Sequence, residues 1–294
     1  MKKDDSREKG VNIRRKKDPF VVIFTDLDGT LLDHDTYEWE AAKPALEICR
    51  QYQIPVIAVS SKTRAEIEIL QKKLSISAPF IPENGGGVFF PKSHYRAGPV
   101  GAVSEKNLWK WSLGLPYGVL VNALKEIRNE LGWDIRGFSE MTPEEISNRT
   151  GLDIETSKLA AAREYDEPFI IIEPMVKDMG ALEKAAEIRG LQITAGGRFY
   201  HIHGKKDKGE AVKRVILWYK AFQPKLITLA LGDSPTDFSM LEIVNHPVLV
   251  GSRDHFIDLK DRIHRLKITE KKGPEGWNSA VLDILGKIIR GGIN

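Results

Sequence analysis

Val21-Val22-Ile23-Phe24-Thr25-Asp26-Leu27-Asp28-Gly29-Thr30-Leu31-Leu32 joins a run of β-formers to two acids at i and i+2, with a glycine and a hydroxyl residue directly behind. Read as a strand running into a turn, the stretch puts both carboxylates on one face at the strand's carboxyl end. Acids so close repel each other, and burying them without a partner is costly. The pattern therefore asks for a divalent cation or a shared reaction centre. An acidic strand-to-turn exit without chemistry is the plain alternative, and the apolar run argues against it.

Working outward, Ala41 to Tyr52 has helical apolar spacing, and Ile54-Pro55-Val56-Ile57-Ala58-Val59 reads as a second buried strand ending at Ser60-Ser61. Thr63 to Leu74 is predicted as a helix with Thr63 as N-cap and Glu66 completing a capping box. This β-α-β-α order predicts a parallel sheet. The rhythm loosens at about Gly85. Short strands at 169–173 and 198–202 mix with helices at 117–131, 155–165 and 178–189, which reads as a separate α+β unit. From Lys208 the rhythm returns: a helix to Ala221, a strand from Leu226 to Leu231, a helix around Asp237 to Val244 and a strand from Val248 to Val250. The expected architecture is α/β: a Rossmann-like parallel-sheet core domain (19–85 and 204–294) with an inserted α+β domain (86–203).

The 294 residues, 41% hydrophobic and 29% charged, suit a soluble globular protein, and no stretch approaches the roughly 20 apolar residues of a membrane span. A basic N-terminus with no apolar segment after it is not a secretory signal, so the cytoplasm is the expected compartment. Cys49 is the single cysteine, which excludes an intramolecular disulfide and a cysteine-based metal site. Residues 1–19 hold eight Lys/Arg against four Asp/Glu. That excess of four exceeds the chain's net +3, leaving −1 for the remainder. Basicity thus belongs to residues 1–18, read as a disordered extension, with a polyanion-binding arm as the other reading; the folded part is not expected to bind nucleic acid.

A second acidic cluster stands at Leu229-Ala230-Leu231-Gly232-Asp233-Ser234-Pro235-Thr236-Asp237, where another apolar strand ends in a glycine and two acids. Ligands of parallel α/β sheets bind outside the carboxyl ends of the strands, so this cluster can meet the first one there. An all-oxygen set of Asp26, Asp28, Asp233 and Asp237 suits Mg²⁺ better than zinc. Ser60 ends the second strand, where its hydroxyl can meet an anion. Lys208 opens a helix, a place unfavourable to a cation unless an anion holds it there. Taken singly, Ser60 and Lys208 read as ordinary surface or turn residues.

In combination, Asp26-x-Asp28-Gly29-Thr30, Ser60, Lys208 and Gly232-Asp233-(x)3-Asp237 resemble, in order, the four motifs of the haloacid dehalogenase-like phosphatase superfamily. The resemblance runs from Phe20 onward, and the 86–203 insert looks like the larger α+β cap of its sugar-phosphatase branch. Residues 59–66, 79–86, 163–169, 196–201 and 273–278 are similar to the mannosyl-3-phosphoglycerate phosphatase family, which yields the compatible solute mannosylglycerate. Two positions depart from the pattern. Thr236 stands where the superfamily usually has Asn, and Asp166 where a small hydroxyl residue is expected.

The resemblance implies a Mg²⁺-dependent phosphatase acting on a phosphorylated sugar acid. Asp26 would be the nucleophile and Asp28 the general acid and base, with Lys208 and Ser60 on the phosphoryl oxygens. Asp26 and Asp233 would bind the metal by carboxylate and Asp28 by its backbone carbonyl, with Asp237 as a ligand or a supporting partner. Planar capture of the substrate carboxylate favours arginine, so Arg163 and Arg198 are candidates beside Ser61, Lys62 and Arg64. Glu83, Asn84 and Glu167 are candidates for the sugar hydroxyls, while His201 reads as a half-buried strand residue. A sucrose-phosphate phosphatase, a phosphomutase-like phosphotransferase and an inactive sugar-phosphate sensor are the alternatives.

Overall fold

Strand β1 (Phe20–Thr25) runs through the middle of the largest sheet, buried on both faces. Val21 and Ile23 join the core on one side, Val22 and Phe24 the core on the other. A strand covered twice has no reason to alternate with polar residues, hence the continuous apolar run. The structure, a computed structural model, describes residues 19–173, 178–195, 198–251 and 259–291. The predicted extension at 1–18 and the glycine pair 196–197 lie outside the described residues.

The chain continues through α1 (Lys43–Gln51), β2 (Val56–Val59), α2 (Arg64–Leu74), β3 (Phe80–Ile81), β4 (Gly87–Pro91), β5 (Val103–Glu105) and β6 (Leu108–Ser112). Next come α3 (Tyr117–Leu131), β7 (Asp134–Gly137), α4 (Pro143–Thr150), α5 (Ile154–Ala160), β8 (Glu167–Glu173), α6 (Met179–Ile188), β9 (Leu191–Ala195) and β10 (Tyr200–Gly204). It closes with α7 (Lys208–Lys220), β11 (Leu226–Gly232), α8 (Phe238–Leu241), β12 (His246–Leu249), α9 (Leu259–Arg262), β13 (Lys267–Ile268) and α10 (Gly273–Ile289).

The large sheet has the order β13-β12-β11-β1-β2-β3-β4-β6-β5, parallel from β13 to β3 and antiparallel beyond. Helices α1, α2 and α10 pack one face around Trp277, and α7 and α8 pack the other. The indole N–H of fully buried Trp277 donates to Thr25 Oγ1 at 3.0 Å, and Ala45 N donates to Asn278 Oδ1 at 2.9 Å. The 273–278 motif thus braces the end of β1 from beneath. Burying a side chain of that size contributes about 3 kcal/mol, and the satisfied N–H keeps the gain.

The second sheet, β7-β8-β10-β9, is antiparallel throughout. It packs against α3 and α6 through Leu120, Leu124, Ile127, Leu182 and Ala186. The break between the sheets falls after Ser112, not at residue 86: β4, β5 and β6 extend the large sheet. An antiparallel extension abandons the β-α-β rhythm without leaving the sheet, so the rhythm alone misplaces the boundary. The helix expected over 155–165 stops at Ala160, because the next residues are drawn onto the core as described below.

Candidate active site

Parallel pairing of β1 with β11 aligns Thr25 with Leu231, and Asp26 N donates to Leu231 O at 2.9 Å. The two acid-bearing exits therefore lie side by side. Asp26, Asp233 and Asp237 each offer a carboxylate oxygen, all within 4.8 Å of one another. Between them sits Lys208, whose Nζ donates to Asp26 Oδ1 and to Asp237 Oδ1, both at 2.6 Å. Lys208 is 2% exposed and Asp237 fully buried. This is the anion that holds a cation at the first residue of α7, whose N-cap, Asp207, accepts from Glu210 N.

Burial pushes Asp26 up to about 8, with Asp237 and Asp233 adding to the rise and Lys208 opposing it. Burial works to lower Lys208, but Asp237 and Asp26 outweigh it and hold the ammonium well above its usual range. Two 2.6 Å contacts to a buried ammonium are the geometry of ion pairs. The upward push on Asp26 comes first from burial and then from the neighbouring acids. Three carboxylates against one ammonium leave a deficit of two charges, which a divalent cation on hard oxygen donors would fill.

Gly29 is required here by close approach. Its φ is +77°, and a Cβ on it would lie 2.4 Å from Asp233 Oδ2. Thr30 Oγ1 donates to Asp233 Oδ1 at 3.2 Å. Asp237 Oδ2 accepts from Asp233 N at 3.1 Å and from both N and Oγ of Ser234 at 3.0 Å. With Lys208 on Oδ1, both oxygens of Asp237 are engaged by the protein. Thr236, the first departure from the motif, is exposed and shares a 2.8 Å hydrogen bond with Ser234 Oγ.

The Asp28 carboxylate stands apart from the three-acid group and pairs with Lys62 at 2.9 Å. Ser60 is 1% exposed; its N–H donates to Ile81 O, its carbonyl accepts from Asn84 N, and its Oγ accepts from Lys62 N at 3.2 Å. Glu83 and Asn84, just past β3, both adopt left-handed backbone, at φ 50° and 54°. A cavity of about 540 Å³ lies elsewhere, around Cys49, Pro55, Tyr95 and Tyr219 at the amino ends of the strands, and holds no acid.

Several residues expected on the substrate also join the second unit to the core. Buried Glu83 accepts from the amides of Glu164 and Tyr165 at 2.9 and 2.8 Å. Arg163, with a 6% exposed side chain, lies 3.7 Å from Glu83 and 3.3 Å from Asp166, and donates to Ser61 O at 3.3 Å. Arg64 pairs with Glu105 and Glu164 at 2.9 and 2.6 Å. Thr63 Oγ1 donates to Leu159 O at 2.8 Å while Thr63 and Glu66 form the predicted capping box. Glu167 is taken up within the second unit by Tyr117 Oη at 2.5 Å and Ser139 Oγ at 2.6 Å. Arg198 is exposed and donates to Thr150 O. Ser61 is exposed too, whereas Asn84 Oδ1 is buried without a hydrogen-bond partner among the described residues.

Asp166, the second departure, is the anion at the centre of this junction. It meets Arg163, His201 Nδ1 at 2.8 Å and Lys206 at 3.6 Å. Burial alone would raise it, but Lys206, Arg163 and His201 together hold the carboxyl far below the usual range. Lys206, which also donates to Glu83 O, is lowered by burial against the pull of Asp166 and Glu83. Lys206 went unread in the sequence because it sits in a run of lysines with no spacing of its own.

An order in which acid-bearing loops leave β1 and β11, with a second sheet inserted, defines a haloacid dehalogenase-like hydrolase. A model of that family matches residues 23–98. Solved structures agree on the fold. A Thermoplasma acidophilum protein is similar at TM-score 0.63 and 19% identity, over 91% of this chain and 99% of the other. A haloacid dehalogenase-like hydrolase from Bacteroides thetaiotaomicron is similar at 0.60 and 15%, over 90% and 99%. Among curated relatives, the glucosyl-3-phosphoglycerate/mannosyl-3-phosphoglycerate phosphatase of Methanococcoides burtonii is 42% identical over 90% of this chain and 97% of its own length. The mannosyl-3-phosphoglycerate phosphatase of Pyrococcus horikoshii is 36% identical over 80% and 92%. The chain belongs to this family of phosphoglycerate-glycoside phosphatases.

Proposed function

We propose that the protein is a Mg²⁺-dependent phosphomonoester hydrolase that dephosphorylates mannosyl-3-phosphoglycerate to mannosylglycerate through an aspartyl-phosphate on Asp26. The names of its relatives extend the reading to the glucosyl ester. The observation that carries it is the buried Lys208 bridging Asp26 and Asp237 beside Asp233. A nucleophilic carboxylate and a fixed ammonium are thereby aimed at one volume.

Hydrolysis of a phosphate monoester is among the slowest reactions in water, and splitting it into two displacements lowers each barrier. Asp26 attacks phosphorus in line, and water then releases the phosphate. Asp28 protonates the leaving alkoxide and takes a proton from the attacking water. Lys208, with the hydroxyl of Ser60, stabilises the phosphoryl oxygens without reorganising, because both are already buried and held. Asp26 and Asp233 by carboxylate and Asp28 by its carbonyl would hold Mg²⁺, with Asp237 fixing Lys208 and the loop. When bound, the ion supplies positive charge that offsets repulsion between Asp26 and the phosphoryl group. The unit built on β7 to β10 acts as the cap, closing over the sugar acid to exclude water.

The test is a panel of phosphate esters scored for free phosphate with Mg²⁺ and again with a chelator. The expected result is metal-dependent turnover of mannosyl-3-phosphoglycerate and glucosyl-3-phosphoglycerate well above glucose 6-phosphate and sucrose phosphate. Equal rates across the panel would overturn the substrate assignment. No release from any ester would overturn the phosphatase reading in favour of an inactive sensor.

A further inference from the structure

Lys62 was expected to touch substrate, yet its surroundings give it a different task. Its Nζ lies 2.9 Å from Asp28 Oδ2 and 4.0 Å from Glu66 Oε1, with only 13% of the side chain exposed. The ring of Tyr37 covers the ammonium at 4.9 Å. Each neighbour is itself fixed. Glu66 is held through Oε2, which accepts from the amide of Thr63 at 2.8 Å. Tyr37 sits at φ 57°, a conformation that bulky residues rarely adopt. It closes a turn organised by Asp33 Oδ1, which accepts from Asp35 N, Thr36 N and Thr36 Oγ1 at 3.0, 2.9 and 3.1 Å. A free lysine is a mobile charge on a four-carbon stem. This one is confined on three sides, and the confinement ends on one oxygen of Asp28.

The other oxygen, Asp28 Oδ1, is buried and has no hydrogen-bond partner among the described residues. A buried orphan acceptor costs stability unless a group arrives to share it. We propose that Lys62 is a positioning residue for proton transfer: by holding Asp28 Oδ2 it leaves Oδ1 as the oxygen that serves the leaving group and then the water. The inference rests on the phosphatase reading above. In the first displacement the Asp26–phosphorus bond forms, the phosphorus–ester oxygen bond breaks, and the proton on Asp28 Oδ1 passes to the ester oxygen. In the second, water bonds to phosphorus, the Asp26–phosphorus bond breaks, and a water proton returns to Asp28.

A residue that orients the acid matters more as the leaving group becomes more basic, whereas one that binds the phosphoryl group matters equally for every ester. The experiment therefore measures kcat/KM, which reports steps through departure of the leaving group, along aryl phosphates from p-nitrophenyl to phenyl phosphate. None carries a carboxylate. Wild type, Lys62→Met and Lys62→Arg are compared with Mg²⁺ present. Lys62→Met should stay within about threefold of wild type on p-nitrophenyl phosphate and lose about tenfold or more on phenyl phosphate, part of the ~100-fold or more that a placed acid contributes. Lys62→Arg should recover most of the shallow dependence. Should the methionine variant not fold, Lys62→Gln is read on the same slope. A loss of equal size along the series, or no loss, would overturn the inference while leaving the phosphatase reading standing. No turnover of any aryl ester or of mannosyl-3-phosphoglycerate by wild type would overturn that reading and the inference with it.

Discussion

Lys208 Nζ and Asp26 Oδ1 are 2.6 Å apart across 182 residues of sequence, and the two residues are only 2% and 7% exposed. The same ammonium is the counter-charge for Asp237, so it holds the acids of β1 and β11 against their mutual repulsion. Removing one partner of a buried ion pair leaves the others uncompensated. Lys208→Met should therefore abolish turnover and, in chelator, cost about 3–5 kcal/mol of stability. Added Mg²⁺ should raise the melting temperature of this variant more than that of wild type. Thermal melts with chelator and with Mg²⁺ check both statements.

Asp26→Asn keeps the size of the side chain but removes the carboxylate that the proposed mechanism uses as nucleophile. Turnover of mannosyl-3-phosphoglycerate should fall by at least about 10⁴-fold. The melting temperature without metal should not fall steeply, because the variant also removes one of the clustered negative charges. Phosphate release and circular dichroism on the same sample decide between loss of chemistry and loss of fold.

Asp166→Ser takes away the anion that Arg163, His201 and Lys206 share at the junction of the two units. Leaving two buried cations with Glu83 as their remaining acid should cost about 3–5 kcal/mol. The sign of the pH dependence follows from a carboxyl held far below its ordinary value. Its contribution is complete above the ordinary aspartate pKa of about 3.9 and is lost as pH falls further. In denaturant titrations, the gap between wild type and Asp166→Ser should narrow as pH falls below about 4.

Cys49 lies on α1 with 2% exposure, and burial pushes its thiol up to about 12. Its reactivity should therefore report unfolding. At pH 8 a disulfide reagent should label it only when denaturant opens the core, and fast labelling of the native protein would contradict the packing of α1 against α10.

The acids, the strand ends that carry them and the Thr63–Glu66 cap were legible because each depends on neighbours a few residues away. Strand periodicity sets the face of Asp26, a glycine sets the turn, and a hydroxyl three residues before an acid sets a helix start. Lys208 was legible as an anomaly, a cation where the helix dipole disfavours one. By contrast, Arg163 suits a substrate carboxylate and Glu83 and Glu167 suit sugar hydroxyls, and nothing in their local sequence shows the protein contacts that each of them makes. Strands β4 to β6 cannot be placed from local sequence, because pairing partners, not strand propensity, settle which sheet a strand joins.

From its residue order alone, this chain was committed to strands that end in acids, to an α/β rhythm interrupted once, and to an oxygen-rich site, all consequences of short-range sterics and patterning. Folding in three dimensions chose who meets whom: Lys208 between Asp26 and Asp237, Lys62 on Asp28, and Asp166 among Arg163, His201 and Lys206. Those choices are made by buried and partly buried polar and charged groups brought together from distant parts of the chain, whose energies depend on distance and burial, and neither quantity is written in a linear sequence.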